Sequence, residues 1–211
     1  MEYLKPTYFF DYEHQAIQHL IKDFESYKLS DKEKAIAVYT KIRDGYLYDP
    51  YHISLTKDAY CASHIAQKPA GNCVEKSILL IASLRGLGIP ARLHLGKVKN
   101  HIAAERLIEK FGSSELTPHG MVNALINGKW LKMSPAFNQS LCVKLNVEPL
   151  DFDGENDSYL QAYNGDGKRF MQYTDDYGHF KDVPLDFMRD NVKAHYPHIF
   201  DVDDGVLEFR L

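Results

Sequence analysis

The run Cys73 to Leu87, "CVEKSILLIASLRGL", constrains the chain more than any other segment. Val74, Ile78, Leu79, Leu80, Ile81, Ala82, Leu84 and Leu87 place apolar side chains nearly all round a helix rather than along one stripe. Such a helix has no face to give to water, so it must lie at the centre of a domain with other elements packed around it. Gly86 or Gly88 ends it, and the turn Pro69-Ala70-Gly71-Asn72 precedes it.

The flanking segments supply what packs there. Tyr12 to Tyr27 carries Ala16, Ile17, Leu20, Ile21 and Phe24 at helical spacing. Ser30-Asp31-Lys32-Glu33 fits a capping box, and Ala35, Ile36, Val38, Tyr39 and Ile42 form the buried stripe of a second helix that stops at Gly45. A short amphipathic stretch follows around Lys57 to Gln67. Beyond the central helix, "IPARLHLGKV" alternates as a strand, with Ile89, Ala91, Leu93 and Leu95 on one side. "HGMVNALINGKWLKMS" reads as two strands joined at Asn127-Gly128, a pair suited to a type I′ turn. Helices followed by strands predict an α+β domain with an antiparallel sheet. From Asp151 to Tyr177 the turns "DFDGEND" and "YNGDGKRF" dominate and no strand is assigned; Pro184 to Pro197 fits a short helix.

Composition narrows the function classes. The chain has 211 residues, 45% hydrophobic and 26% charged, and is long enough to bury a core without disulfides or a structural metal. A formal charge of -4, with no Lys/Arg run interleaved with aromatics, argues against nucleic acid as a partner. Met1 to Tyr12 shows no leader pattern, and the apolar stretch Ile78 to Leu84 is too short to span a bilayer. A cytoplasmic protein with no membrane partner is expected, and its cysteines, Cys61, Cys73 and Cys142, are expected to be thiols. The Cys61, His64 and Cys73 spacing lacks the second pair that zinc requires, and "DFDGENDSYL" lacks the closing glutamate of a calcium loop. "YNGDGKRF" is not a phosphate-binding loop. Neither metal nor cofactor is expected.

The chemistry centres on Cys73. A thiol in the first turn of a helix sits by the positive end of the helix dipole and by unpaired N–H groups, which favour thiolate and predict a cysteine more reactive than Cys61 or Cys142. Gly71 lets the backbone turn so that those N–H groups can face a developing oxyanion. Free cysteines are also among the most buried residues, so Cys73 alone does not decide. A nucleophilic thiol needs a base, and His119, following Thr117-Pro118 at the start of the first hairpin strand, is the imidazole best placed to approach a helix N-terminus.

"GNCVEKSILLIASLRGLGIPARL" followed by "HGMVNALINGKWLKMSPAFN" resembles the core of the transglutaminase-like superfamily, papain-like thiol enzymes with a Cys-His-Asp triad. "DKEKAIAVYTKIRDGYLYDP" is similar to the helix and turn that lead into that core, so the resemblance runs from about Asp31 to Asn138. It implies one domain over residues 1–211, with a core at about 31–138, a helical extension at 1–30 and a C-terminal elaboration at 139–211. It also implies a papain-like α+β fold, with the buried helix packed on an antiparallel sheet.

Carried over residue by residue, the resemblance makes Cys73 the nucleophile and His119 the base. The third position departs from the pattern, because "WLKMSP" puts Ser134 where the acid would stand. A serine hydroxyl can accept from an imidazole but cannot offset its charge. Asp151 or Asp153 of "LDFDG" is the alternative source of that charge, each also readable as a solvated turn carboxylate; Asn72 is either an oxyanion donor or a turn residue. Trp130 reads as a packing residue. The activity implied is amide or peptide hydrolysis by acyl transfer, with a peptide or protein amide as substrate. The alternative is a protein that keeps the fold but binds without turnover. The oligomeric state is not set by these features.

Overall fold

The computed structural model describes residues 2–26, 28–102 and 104–199, with the backbone of Glu208–Arg210. In chain order the elements are α1 (Gln15–Ile21), α2 (Asp31–Gly45), β1 (Leu47–Tyr48), β2 (His52–Ser54), α3 (Ala62–Ile65), β3 (Ala70–Gly71) and α4 (Cys73–Gly86). There follow β4 (Ala91–Asn100), α5 (Ala104–Phe111), β5 (Glu115–Ile126), β6 (Lys129–Met133), α6 (Gln139–Leu145), β7 (Met171–Phe180), α7 (Leu185–His195) and β8 (Glu208–Arg210). The main sheet is antiparallel, in the order β6-β5-β4-β7. Two short pairs complete the ladders: β1 runs parallel to β3, and β2 antiparallel to β8. The mixed α+β architecture expected from the sequence is therefore present.

Local signals set several boundaries where they were expected. Ser30 Oγ accepts from Glu33 N–H while the Glu33 carboxylate accepts from Ser30 N–H, so the capping box starts α2. Asn127 and Gly128 both have positive φ, 50° and 79°, as a type I′ turn requires. The first helix is shorter than its periodicity suggests. His14 caps α1 by accepting from Ala16 N–H, and after Ile21 the chain tightens into a 3-10 turn at Lys22–Phe24; Tyr27 lies outside the described residues. Around Lys57 to Gln67 the expected stretch resolves into a 3-10 turn, Asp58–Tyr60, and α3.

Every residue of α4 from Cys73 to Arg85 is buried, as the apolar pattern demands. The core it anchors is one contiguous cluster reaching from Phe9 to Ile199. Burial on all sides leaves the polar side chains of α4 to be satisfied inside the protein. Ser83 Oγ donates to Leu79 O, and the Arg85 guanidinium donates to the carbonyls of Lys5, Ala91 and Lys181.

Lys76 is fully buried, and its ammonium donates to Arg43 O, Tyr46 O and Ala136 O at 2.8, 2.6 and 2.9 Å. Burial, the largest influence on it, pulls its pKa down to about 7. A neutral amine has only two N–H bonds and could not supply three carbonyls, so the geometry is that of the charged form. One cation thus ties α4 to the end of α2, the approach to β1 and the loop after β6. Lys76→Met keeps the aliphatic stem but strands three carbonyl oxygens, so it is expected to lower unfolding free energy by about 3 kcal/mol or more. Urea denaturation followed by circular dichroism measures this; an unchanged midpoint would show that water replaces the ammonium.

Candidate active site

Three hydrogen bonds fix the start of α4. Asn72 Oδ1 accepts from Val74 and Glu75 N–H, each at 3.0 Å, and a Glu75 carboxylate oxygen returns to accept from Asn72 N–H at 2.9 Å. Lys68 Nζ holds the other Glu75 oxygen at 2.7 Å. The Asn72 carbonyl oxygen is thus committed to capping, while its amide nitrogen points to His52 O at 3.4 Å.

This capped turn meets β5 with almost no clearance. A Cβ on Gly120 would lie 2.8 Å from Val74 Cα and 3.1 Å from Cys73 O, so only glycine allows strand and helix backbones to approach this closely. The backbone N–H groups of Gly120, Val74 and Cys73 itself favour the ionised form of the Cys73 thiol. His119 is the neighbour of Gly120 along the strand, paired in register with Gly96 of β4. It is the fifth residue of β5 rather than the first, because the strand begins at Glu115.

Both side chains are enclosed: Cys73 is 6% and His119 4% exposed. Burial pushes the Cys73 thiol up to about 11, outweighing the three N–H groups that favour thiolate. Burial likewise brings the His119 imidazole down to about 4. The expectation of a helix-activated thiolate is therefore corrected. Desolvation exceeds the effect of the helix terminus, and the resting pair is thiol and neutral imidazole. Cys61 is half-buried and Cys142 fully buried, and burial raises both of their pKa values.

Ser134 and His119 face the same small cavity, about 10 Å3, closed by Tyr159, Gln161 and Tyr173. His119 Nδ1 nevertheless has no hydrogen-bond partner among the described residues, so the Ser134 hydroxyl does not anchor it. Ser134 instead uses its backbone, with N–H donating to Ser158 O and its carbonyl accepting from Tyr39 OH, both at 2.9 Å. Asp151 lies apart, its side chain 82% exposed and paired with Arg43. Asp153 organises its own turn by accepting from Glu155 and Asn156.

Residues not singled out in the sequence complete the surroundings. The Tyr173 ring meets His119 edge-on at 5.8 Å, and it comes from β7, in a segment whose pattern announces no strand. Beside Cys73 a cleft of about 60 Å3 is lined by Tyr48, Tyr60, Asn72, Thr117 and Tyr196. It shares Tyr48, Pro50 and Leu116 with a larger hollow of about 420 Å3 that reaches Arg106 and Asn100. Trp130 packs between the Arg92 guanidinium and the Tyr3 ring, away from the cleft.

A family model described as the transglutaminase-like superfamily matches residues 18–135, more than half of the chain. The chain belongs to this superfamily. The transglutaminase-like region thus takes in Cys73, His119 and Ser134, while Asp151 and Asp153 lie beyond it. The chain is also similar to a solved structure of a candidate cysteine protease from Cytophaga hutchinsonii, with a TM-score of 0.47 and 21% identity over 64% of this chain. It spans 40% of that protein's length. No curated protein matches the chain. Among the described residues no helix is long and apolar enough to cross a membrane, and no group of three or more His, Cys, Asp or Glu could hold a metal ion.

Two pH dependences follow from the enclosed pair. With a thiol near 11, alkylation of Cys73 by iodoacetamide should climb about tenfold per pH unit from neutral to mildly alkaline pH without a plateau. A plateau near neutrality would show an ionised thiolate–imidazolium pair instead. For His119 the folded value, about 4, lies below the unfolded 6.5. As pH falls through 6.5 the unfolded chain takes up the proton first, so the contribution to stability is full above that value and is lost on approach to 4. The loss is up to about 1.4 kcal/mol per pH unit. Urea denaturation across this range should show a shallower acid-side slope for His119→Gln than for the wild type.

Proposed function

We propose that this transglutaminase-like protein is a cysteine-dependent acyl-transfer enzyme that hydrolyses an amide or peptide bond, with Cys73 as nucleophile and His119 as base. One observation carries the reading. His119 is a buried imidazole whose Nδ1 bonds to nothing among the described residues, and its chain neighbour Gly120 lies so close to the first turn of α4 that a Cβ there would meet Cys73 O at 3.1 Å. A histidine kept for structure would be expected to have its ring nitrogens satisfied.

The roles follow from the charges. Cys73 attacks the carbonyl carbon as its proton passes to His119, so no free thiolate accumulates beforehand. The imidazolium formed in so apolar a place is a strong acid, and it protonates the departing amine readily. Water then attacks the thioester, with His119 again as base, and releases the acid. An amine in place of water gives transfer instead of hydrolysis. Ser134 fills the third position as a neutral wall of the His119 cavity, Asp151 is the partner of Arg43, and Asn72 acts as the helix cap that presents Cys73.

The second reading, binding without turnover, is favoured by the un-ionised pair and by the lack of a carboxylate on His119. The test is digestion of a peptide library read by mass spectrometry, with Cys73→Ala and His119→Ala as comparators. The enzyme reading expects new peptide termini or deamidated side chains from the wild type and a loss of at least about a thousandfold in each variant. Peptides retained but left intact by the wild type would establish the binding module, and cleavage that survives Cys73→Ala would remove Cys73 from the chemistry.

A further inference from the structure

Tyr48 carries a buried polar group with no structural purpose. Its hydroxyl is shut off from solvent and has no hydrogen-bond partner among the described residues. It lines the same cleft as Cys73. An unsatisfied buried hydroxyl costs about 1–3 kcal/mol, and its retention calls for an explanation outside the stability of the resting fold.

The position of Tyr48 is held by backbone, not by loose side-chain packing. In β1 it pairs with Gly71 of β3, two residues before the nucleophile, through Leu47 N–H to Pro69 O and Asp49 N–H to Gly71 O at 3.0 and 3.1 Å. Its own N–H donates to Asn138 Oδ1 at 3.0 Å, and its ring lies edge-on against Phe137 at 4.8 Å. A hydroxyl fixed this firmly can face developing charge without reorganising when the reaction occurs.

We propose that the Tyr48 hydroxyl is a catalytic residue of the Cys73 reaction, donating a hydrogen bond to the oxyanion of the tetrahedral intermediate from the wall of the cleft that it shares with Cys73. This rests on Cys73 being the nucleophile. As the sulfur–carbon bond forms, the carbonyl π pair moves onto oxygen, and the Tyr48 O–H supports that charge without giving up its proton. The thiol proton goes to His119. When the intermediate collapses, the pair returns to re-form the carbonyl and the leaving group departs with the electrons of the broken bond. The Asn72 side chain already occupies the Val74 and Glu75 N–H groups, so neither is free to serve the oxyanion, and the tyrosine supplies a further donor.

The test compares two reactions of the same sulfur. Acylation by p-nitrophenyl acetate passes through an oxyanion, whereas alkylation by iodoacetamide is a direct displacement that never forms one. Rates are read at Cys73 by peptide mapping of the full-length wild type and Tyr48→Phe. The variant should lose about 10²- to 10³-fold in acylation, keep its alkylation rate within about twofold, and show a urea midpoint equal to or above that of the wild type. Equal acylation rates in the two proteins would overturn the proposal. So would a parallel fall in both reactions, or a lower urea midpoint, either of which would mean that the hydroxyl supports the thiol or the fold. If p-nitrophenyl acetate fails to acylate Cys73 in the wild type while alkylation proceeds, the nucleophile assignment falls, and the oxyanion role with it.

Discussion

The first turn of α4 and the backbone of β5 touch at Gly120 with no room for a methyl group, and the arrangement of the site descends from that contact. It sets the Cys73 backbone against Gly120, and His119 is the next residue along the same strand. It also excludes water there. Excluding water raises the thiol pKa and lowers the imidazole pKa in one stroke, since both charged forms lose their hydration. The close backbone approach and the un-ionised resting state of both groups therefore go together.

That state differs from the familiar ion-paired thiol centre. A pair that stores no charge is quiet toward adventitious electrophiles and relies on groups that act only while bonds are changing. The sequence departs from the superfamily pattern in the same direction, because Ser134 offers His119 no negative charge. A carboxylate there would stabilise imidazolium and draw the pair toward ionisation; a hydroxyl does not. The neutral third position and the dry cavity are mutually consistent, since an unpaired carboxylate beside His119 would itself be expensive to bury.

Features coded over a few residues were legible in the sequence. The capping box at Ser30, the Asn127-Gly128 turn, the all-round apolar helix and the place of Cys73 in its first turn all follow from short-range rules. What depended on distant partners was not. Asp151 is visible as a carboxylate, but that Arg43, 108 positions away, claims it is not. Tyr48 owes its position to a two-residue parallel pairing too short to leave a pattern. β7 escaped because it is an edge strand with a largely half-buried or exposed surface, so its alternation is faint and its tyrosines read as loop composition. Lys76 looks like a solvated charge in a helix, and only the three carbonyls that converge on it reveal the reverse.

That same lysine sets how the molecule can open. Segments ending α2, entering β1 and leaving β6 share one ammonium, so none can move away without leaving a buried cation and a buried carbonyl oxygen short of a partner. They form a single cooperative unit for local unfolding, although they are distant in sequence. Tyr48, two residues past one of these anchors and packed on Phe137 next to another, lies inside that unit. The wall of the cleft that carries Tyr48 is thereby coupled to the core beneath it.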